Sequence, residues 1–206
     1  MIDTLTRPEF KTPSGWPRAG TVRFVEVPER RCLMIDGEGE PGGPAFQEAI
    51  GALYGTAYTL KFALKHEGIQ TKVGHLEGLW RRAGMAADVP LTEPVVDLSA
   101  WWWTLLMELP EAATDADVYA AIETAWAKNP TMAMGRQRIE RWREGPVVEA
   151  MHIGPYAAEP ETVERMLAVA EAAGLRPTGA HHEIYVGDPN RSDPLKLKTV
   201  LRQPVG

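Results

Sequence analysis

Near the end of the chain, Ala180-His181-His182-Glu183-Ile184-Tyr185-Val186 alternates side-chain character in the way a β-strand requires. Neighbouring strand residues point to opposite faces, so His181, Glu183 and Tyr185 share one face and Ala180, His182, Ile184 and Val186 the other. The first face is expected to look away from any covering helices. A carboxylate and a phenol two residues apart stand about 7 Å apart along a strand face. Such a pair can grip one small ligand, or act as base and hydrogen-bond donor on it. The plain alternative, a face that is merely wet, is equally open at this stage.

Indole rings are the second chemical resource. The chain holds seven tryptophans, three of them consecutive at Trp101-Trp102-Trp103, and adjacent strand residues cannot all enter one core. Trp101, Trp103, Leu105 and Met107 fall on one face and Trp102, Thr104, Leu106 and Glu108 on the other, so at least one indole is left to cover the face opposite the core. An indole there offers a stacking surface to flat or cationic molecules, although any single tryptophan is more often part of a core. Leu76-Glu77-Gly78-Leu79-Trp80 adds a carboxylate and an indole on opposite faces. Tyr54 and Tyr58, one helical turn apart, look the same way.

Other chemistries lack their residues. His181 and His182 are adjacent on a strand and cannot ligate one ion, His66, His75 and His152 lack zinc spacing, and the single Cys32 excludes a thiolate cluster. No phosphate loop, dinucleotide fingerprint or Gly-x-Ser-x-Gly elbow is present, and Cys32 has no activating neighbour in sequence. The net charge of −6 argues against nucleic acid as the main partner, and Arg136, Arg138, Arg141 and Arg143, interleaved with Glu140 and Glu144, read as a solvated, salt-bridged face. The absence of an 18-residue apolar run, of a secretory leader and of paired cysteines predicts a soluble cytoplasmic protein without a membrane partner.

The elements that must position these residues form a repeating order. Residues 1–20, rich in proline and glycine, read as a loosely structured lead-in. Strands are predicted over 21–27 and 31–37, joined by a turn at Pro28-Glu29-Arg30, followed by a helix opening at Pro44 with Phe46, Ile50, Leu53, Ala57, Leu60 and Leu64 inward. Strands at 76–80 and 99–109 flank a polar loop with Pro90 and Pro94. A helix from the capping box Thr114-x-x-Asp117 runs to Asn129-Pro130. A strand at 147–153, a turn at Gly154-Pro155-Tyr156, a helix at 160–173 and strands at 180–186 and 197–202 then repeat the first order. This predicts an α+β fold of two fused strand-helix-strand-strand modules, a pseudo-dimer with antiparallel sheets and a ligand cleft between them. The expected limits are about 21–110 for module one, 114–129 for the linking helix and 140–206 for module two, all within one domain over 21–206.

Met151-His152-Ile153-Gly154-Pro155-Tyr156, His181-His182-Glu183-Ile184-Tyr185-Val186-Gly187-Asp188-Pro189 and the stretch from Leu197 to Val205 resemble the GyrI-like small-molecule-binding proteins. Leu76 to Trp80 and the Trp101 to Leu109 strand resemble their first half. The resemblance covers nearly everything after residue 20 and implies effector-binding modules in which Glu183 meets cationic aromatic compounds. No helix-turn-helix flanks the modules, so direct DNA binding is not expected. The His-His-Glu-Ile-Tyr signature is similar to a stand-alone subgroup that hydrolyses cyclopropanoid compounds, strained-ring DNA alkylators. The resemblance implies Glu183 and Tyr185 as catalytic, with no cofactor and no metal. Trp80, Trp102 or Trp103, Tyr54 and Tyr156 would stack on the planar body, and the expected ligand-binding set is Tyr54, Tyr58, Trp80, Trp102, Trp103, Met107, His152, Tyr156 and His181. A non-catalytic sensor or sequestering protein, acting with a separate protein partner, is the other function the same residues allow.

Overall fold

The computed structural model describes residues 8–86, 88–89, 91, 100–188 and 191–206. Pro90 and Pro94 of the expected polar loop, Ser99 and Pro189 lie outside these residues. The fold is α+β as expected, with strand β1 (Val22–Glu38), helix α1 (Pro44–His66), β2 (Glu77–Arg82), β3 (Trp101–Glu108), α2 (Asp115–Lys128), β4 (Arg138–Ile153), α3 (Glu159–Ala172), β5 (His181–Tyr185) and β6 (Lys198–Pro204). The strands follow one another in the sheet as β1-β3-β2-β5-β6-β4.

Two expected strands merge into one. β1 runs unbroken through Pro28-Glu29-Arg30, with Pro28 exposed. A proline is tolerated in a strand where its missing N–H faces no ladder partner, so the turn reading gave way to an extended chain. β4 likewise begins at Arg138, nine residues before the expected start, because its alternation of Arg and Glu is a strand period rather than a loop. Its Arg138 pairs with Asp36 and Glu140 at 2.8 and 2.9 Å and Arg143 with Glu26 at 2.6 Å, as a salt-bridged face would, but Glu144 is fully buried.

Contacts divide the chain into two compact units, one holding the described residues of 1–29, 79–96 and 143–206, the other those of 30–78 and 97–142. β1, β2 and β4 each contribute to both. In the second unit α1 opens with Pro44 at its first position and buries Phe46, Ala49, Leu53, Leu60 and Leu64, while α2 carries the predicted capping box, Asp117 N–H donating to Thr114 Oγ1 at 3.2 Å and Thr114 N–H to Asp117 Oδ2 at 2.7 Å. β1 and β3 pair antiparallel from Cys32 opposite Glu108 to Glu38 opposite Trp102, which sets Gly37 against Trp103. A methyl group at Gly37 would stand 2.1 Å from the Trp103 ring, so only glycine lets that indole lie across β1, where Phe46 meets it edge-on at 5.2 Å.

In the first unit α3 packs Val163, Met166 and Ala170 on Val148 and Ala150 of β4 and Leu201 of β6. The opposite face of those strands holds Met151, Ile184 and Val200, next to a buried set of charges. There Arg202 donates from Nε to Glu149 at 2.8 Å and from Nη1 to Glu144 at 3.2 Å, Arg23 donates to Glu149 at 2.7 Å, and His182 Nδ1 lies 2.8 Å from Glu144. Carboxylates taken wholly out of water are tolerable only when paired in this way. The lead-in is anchored on this unit: Lys11 bridges to Val25 and Ala19 to Met151, and Phe10 meets Phe24 edge-on at 5.5 Å.

Candidate functional site

Strand register decides which way Glu183 looks. Glu183 stands opposite Leu201, which stands opposite Ala150, and Leu201 and Ala150 belong to the cluster beneath α3. Paired residues share a face, so His181, Glu183 and Tyr185 lie on the side that carries α3, whereas His182 aligns with Arg202 and Glu149 on the other. The expectation that the Glu183 face looks away from the helices is thereby corrected. Alternation separates two faces correctly but carries no information on which one a helix will cover.

Four elements converge there. Tyr185 donates its phenolic hydrogen to Glu183 Oε2 at 2.7 Å and accepts from Trp80 Nε1 of β2 at 3.2 Å. Tyr156, in the turn of 3-10 helix at Tyr156–Ala158, stands edge-on to Tyr185 with 5.9 Å between centroids and is 40% exposed. Glu159, the first residue of α3, is buried close enough for its charge and that of Glu183 to act on each other. His181 Nε2 lies 3.7 Å from Glu183 Oε1. The Glu183 side chain itself is 14% exposed.

The electrostatics follow from this burial. Desolvation pushes Glu183 up to about 7, against the opposing pull of its hydrogen bond from Tyr185. Glu159 is raised well above the carboxylate range by burial and by the neighbouring Glu183. Burial and the negative charge of Glu183 also raise Tyr185 well above an ordinary phenol, and burial takes Tyr156 to about 12. Buried His181 is depressed to about 4, so at neutral pH it offers Glu183 no positive charge. The result is a carboxyl poised near neutrality among three aromatic rings and two phenols that keep their protons. Among the described residues no group of three or more metal-ligating side chains converges.

The other expected site residues take different places. His152 is buried beneath α3, where Nε2 donates to the Pro155 carbonyl at 3.2 Å and Nδ1 accepts from Thr162 at 3.0 Å; burial lowers its basicity, and it pins the turn that presents Tyr156. Trp103 and Met107 are core residues of the second unit, each 1% exposed. Trp102 is 45% exposed, as the alternation required for one of the three indoles. Tyr54 and Tyr58 do look the same way, stacked 6.1 Å apart along α1, with Phe62 next in the row. Sequence reasoning missed Glu159. Glu159 precedes Pro160 at a helix start, where an acidic residue is commonplace, and only tertiary contact distinguishes it.

No family model and no curated protein matches the chain. Solved structures do. An uncharacterized conserved protein from Listeria innocua shares 36% identity, with a TM-score of 0.81 over 93% of this chain and 94% of that one. A protein from Listeria innocua described as a hydrolase shares 34% identity, with a TM-score of 0.76 over the same 93% and 94%. The C-terminal domain of EcmrR matches at a TM-score of 0.53 and 10% identity, over 90% of this chain and 97% of that one, which is a likeness of fold alone. With more than a third of positions identical over nearly its whole length, the chain belongs to the same family as these Listeria innocua proteins.

Proposed function

We propose that this chain is a GyrI-like, cofactor-independent hydrolase that opens strained cyclopropane rings on flat organic molecules, with Glu183 as general base. The observation that supports it most is the largely buried Glu183 side chain, its carboxyl pushed up to about 7 by burial beside Trp80 and Tyr185, with Tyr156 edge-on to Tyr185. A base poised near the working pH combines a useful population of carboxylate with real driving force for taking a proton. Two relatives from Listeria innocua at 34% and 35% identity are described as hydrolases, which agrees with this reading.

In the reaction, Glu183 takes a proton from water as the water oxygen bonds to a ring carbon. The cyclopropane C–C bond breaks, and its electron pair moves through the conjugated system to the carbonyl oxygen. That oxygen then receives the proton from Glu183, so water has been added and the base restored. Tyr185 directs its hydrogen at Glu183 Oε2, and in this reading it orients the base. Tyr156, with 40% of its surface free, offers the planar body a ring to stack on.

The second reading, a non-catalytic binder that senses or sequesters a cationic aromatic compound with a separate partner, draws on the same residues, because a carboxylate among aromatic rings also attracts a cation. Mixing purified protein with a spirocyclopropyl-dienone alkylator and following ring-opened product by mass spectrometry separates the two. Hydrolysis predicts many turnovers per protein and a loss of roughly 10²-fold or more in Glu183→Gln with the neutral ligand still bound. No product above the protein-free rate, with affinity for cations lost in the variant, would leave binding as the function.

A further inference from the structure

We propose that Thr162 is a positioning residue for Tyr156, acting through His152: its hydroxyl fixes the imidazole that holds the Tyr156 turn against the end of β4. The inference rests on the hydrolase reading for the use of Tyr156 as a stacking ring, but the order of hydrogen bonds is a property of the ligand-free protein.

That order runs one way only. The Pro155 carbonyl can only accept, so the imidazole nitrogen facing it, Nε2 at 3.2 Å, carries a hydrogen. The Thr162 hydroxyl already accepts from Arg165 Nη2 at 3.2 Å, and its own hydrogen points at His152 Nδ1, 3.0 Å away. An imidazolium would carry a second hydrogen at Nδ1 and turn this contact round. The hydroxyl hydrogen would then need another acceptor, in a residue only 4% exposed. His152 is itself buried, and that burial, together with the positive charge of Arg165, keeps the ring neutral against the pull of its bond to Pro155 and of Glu161. Thr199, its partner across the strand pair, brings no charge.

The other end of this relay is the turn. The Pro155 carbonyl also accepts from the Ala158 N–H at 2.9 Å, the bond that closes the turn Tyr156–Ala158, so both of its lone pairs are taken. Gly154 makes the close approach possible: its φ is 138°, and a Cβ there would stand 3.4 Å from Nε2. Residues 154–158 alone separate the end of β4 from the start of α3, and Thr162 lies one turn into that helix. The relay therefore ties α3 to the turn through the imidazole. Tyr156, carried on the turn, is edge-on to Tyr185 at 5.9 Å, and Tyr185 donates to Glu183. A ring displaced with its turn would hold the planar body less well, while Glu183 and its donor stay where they are.

Nitrogen NMR of the ligand-free protein labelled at histidine reads the first step, with His152 identified by the signals lost in His152→Gln. A neutral ring with hydrogen on Nε2 and a bare Nδ1 is expected at pH 7; hydrogen on Nδ1 overturns the relay. Fluorine NMR of protein carrying 3-fluorotyrosine reads the second, through the resonance missing from Tyr156→Phe. That resonance is expected to shift or broaden in Thr162→Val, which keeps the shape and loses the hydroxyl, and to return in Thr162→Ser. An unchanged resonance in Thr162→Val makes Thr162 a packing residue and overturns the proposal. Arg165→Met, at an exposed position, is expected to move the resonance in the same direction by less, and serves where Thr162→Val does not fold. With the alkylator as substrate, Thr162→Val should raise KM by roughly threefold to tenfold at unchanged kcat, and a fall in kcat alone also overturns the assignment. If both spectra behave as expected and no variant hydrolyses the alkylator, the positioning of Tyr156 stands and the hydrolase reading falls.

Discussion

At the scale of single residues, the site is governed by the competition between burial and hydrogen bonding around one carboxyl. Glu183 sits near 7 because desolvation raises it and Tyr185 restrains the rise. Removing the Tyr185 hydroxyl should therefore shift the balance in a known direction. Tyr185→Phe loses the donor to Glu183 Oε2 and the acceptor for Trp80 Nε1. Its activity limb is expected to move to higher pH by about one unit, with a loss of roughly tenfold at pH 7 recovered in part at pH 9. An activity that falls equally at every pH would instead identify Tyr185 as a group acting on the substrate. Glu183, Tyr185, Trp80 and Tyr156 were legible from strand period and motif, because each announces itself by type. Glu159 was not: an acidic residue before Pro160 looks like any helix opening, and its neighbour in space lies 24 positions away, a difference of residue numbers.

Elements show the same limit in another form. The sequence pattern located three helices and most strand centres, since those depend on local period and caps. It broke β1 at Pro28 and started β4 late, because a strand's persistence is decided by what lies beside it. It also assigned α3 to the wrong side of β5, a choice made by register with β6 and by Val163, Met166 and Ala170. Gly37 and Trp103 show how strictly an element pair can depend on one missing atom. Gly37→Ala places a methyl 2.1 Å from an indole that is 1% exposed and flanked by Phe46. The ring must leave its place, and a destabilisation of about 3 kcal/mol is expected, visible as a lowered Tm and a changed near-ultraviolet tryptophan signal.

For the whole molecule, the same buried groups shape stability against pH. Glu183 and Glu159 are raised above their unfolded values, so the folded state holds extra protons; their contribution is full below about 4.5 and falls as pH rises, through about 7 for Glu183. His181 and His152 are depressed, so their contribution is present above about 6.5 and is lost as pH falls toward 4. The two effects oppose each other between about 4.5 and 6.5, and above that the carboxyls act alone. Thermal unfolding should therefore show a decline in Tm as pH rises through about 7 that Glu183→Gln flattens. A decline of equal slope in the variant would place its origin elsewhere.

Cys32 has a bearing on the proposed hydrolysis, whose substrates are electrophiles. The only thiol of the chain is fully buried in β1, and burial takes its pKa to about 12, so almost none of it is thiolate at neutral pH. An alkylator that labels thiolates finds the one thiol out of reach in the folded protein. If the hydrolase reading holds, labelling of Cys32 by the protein's own substrate requires the fold to open first.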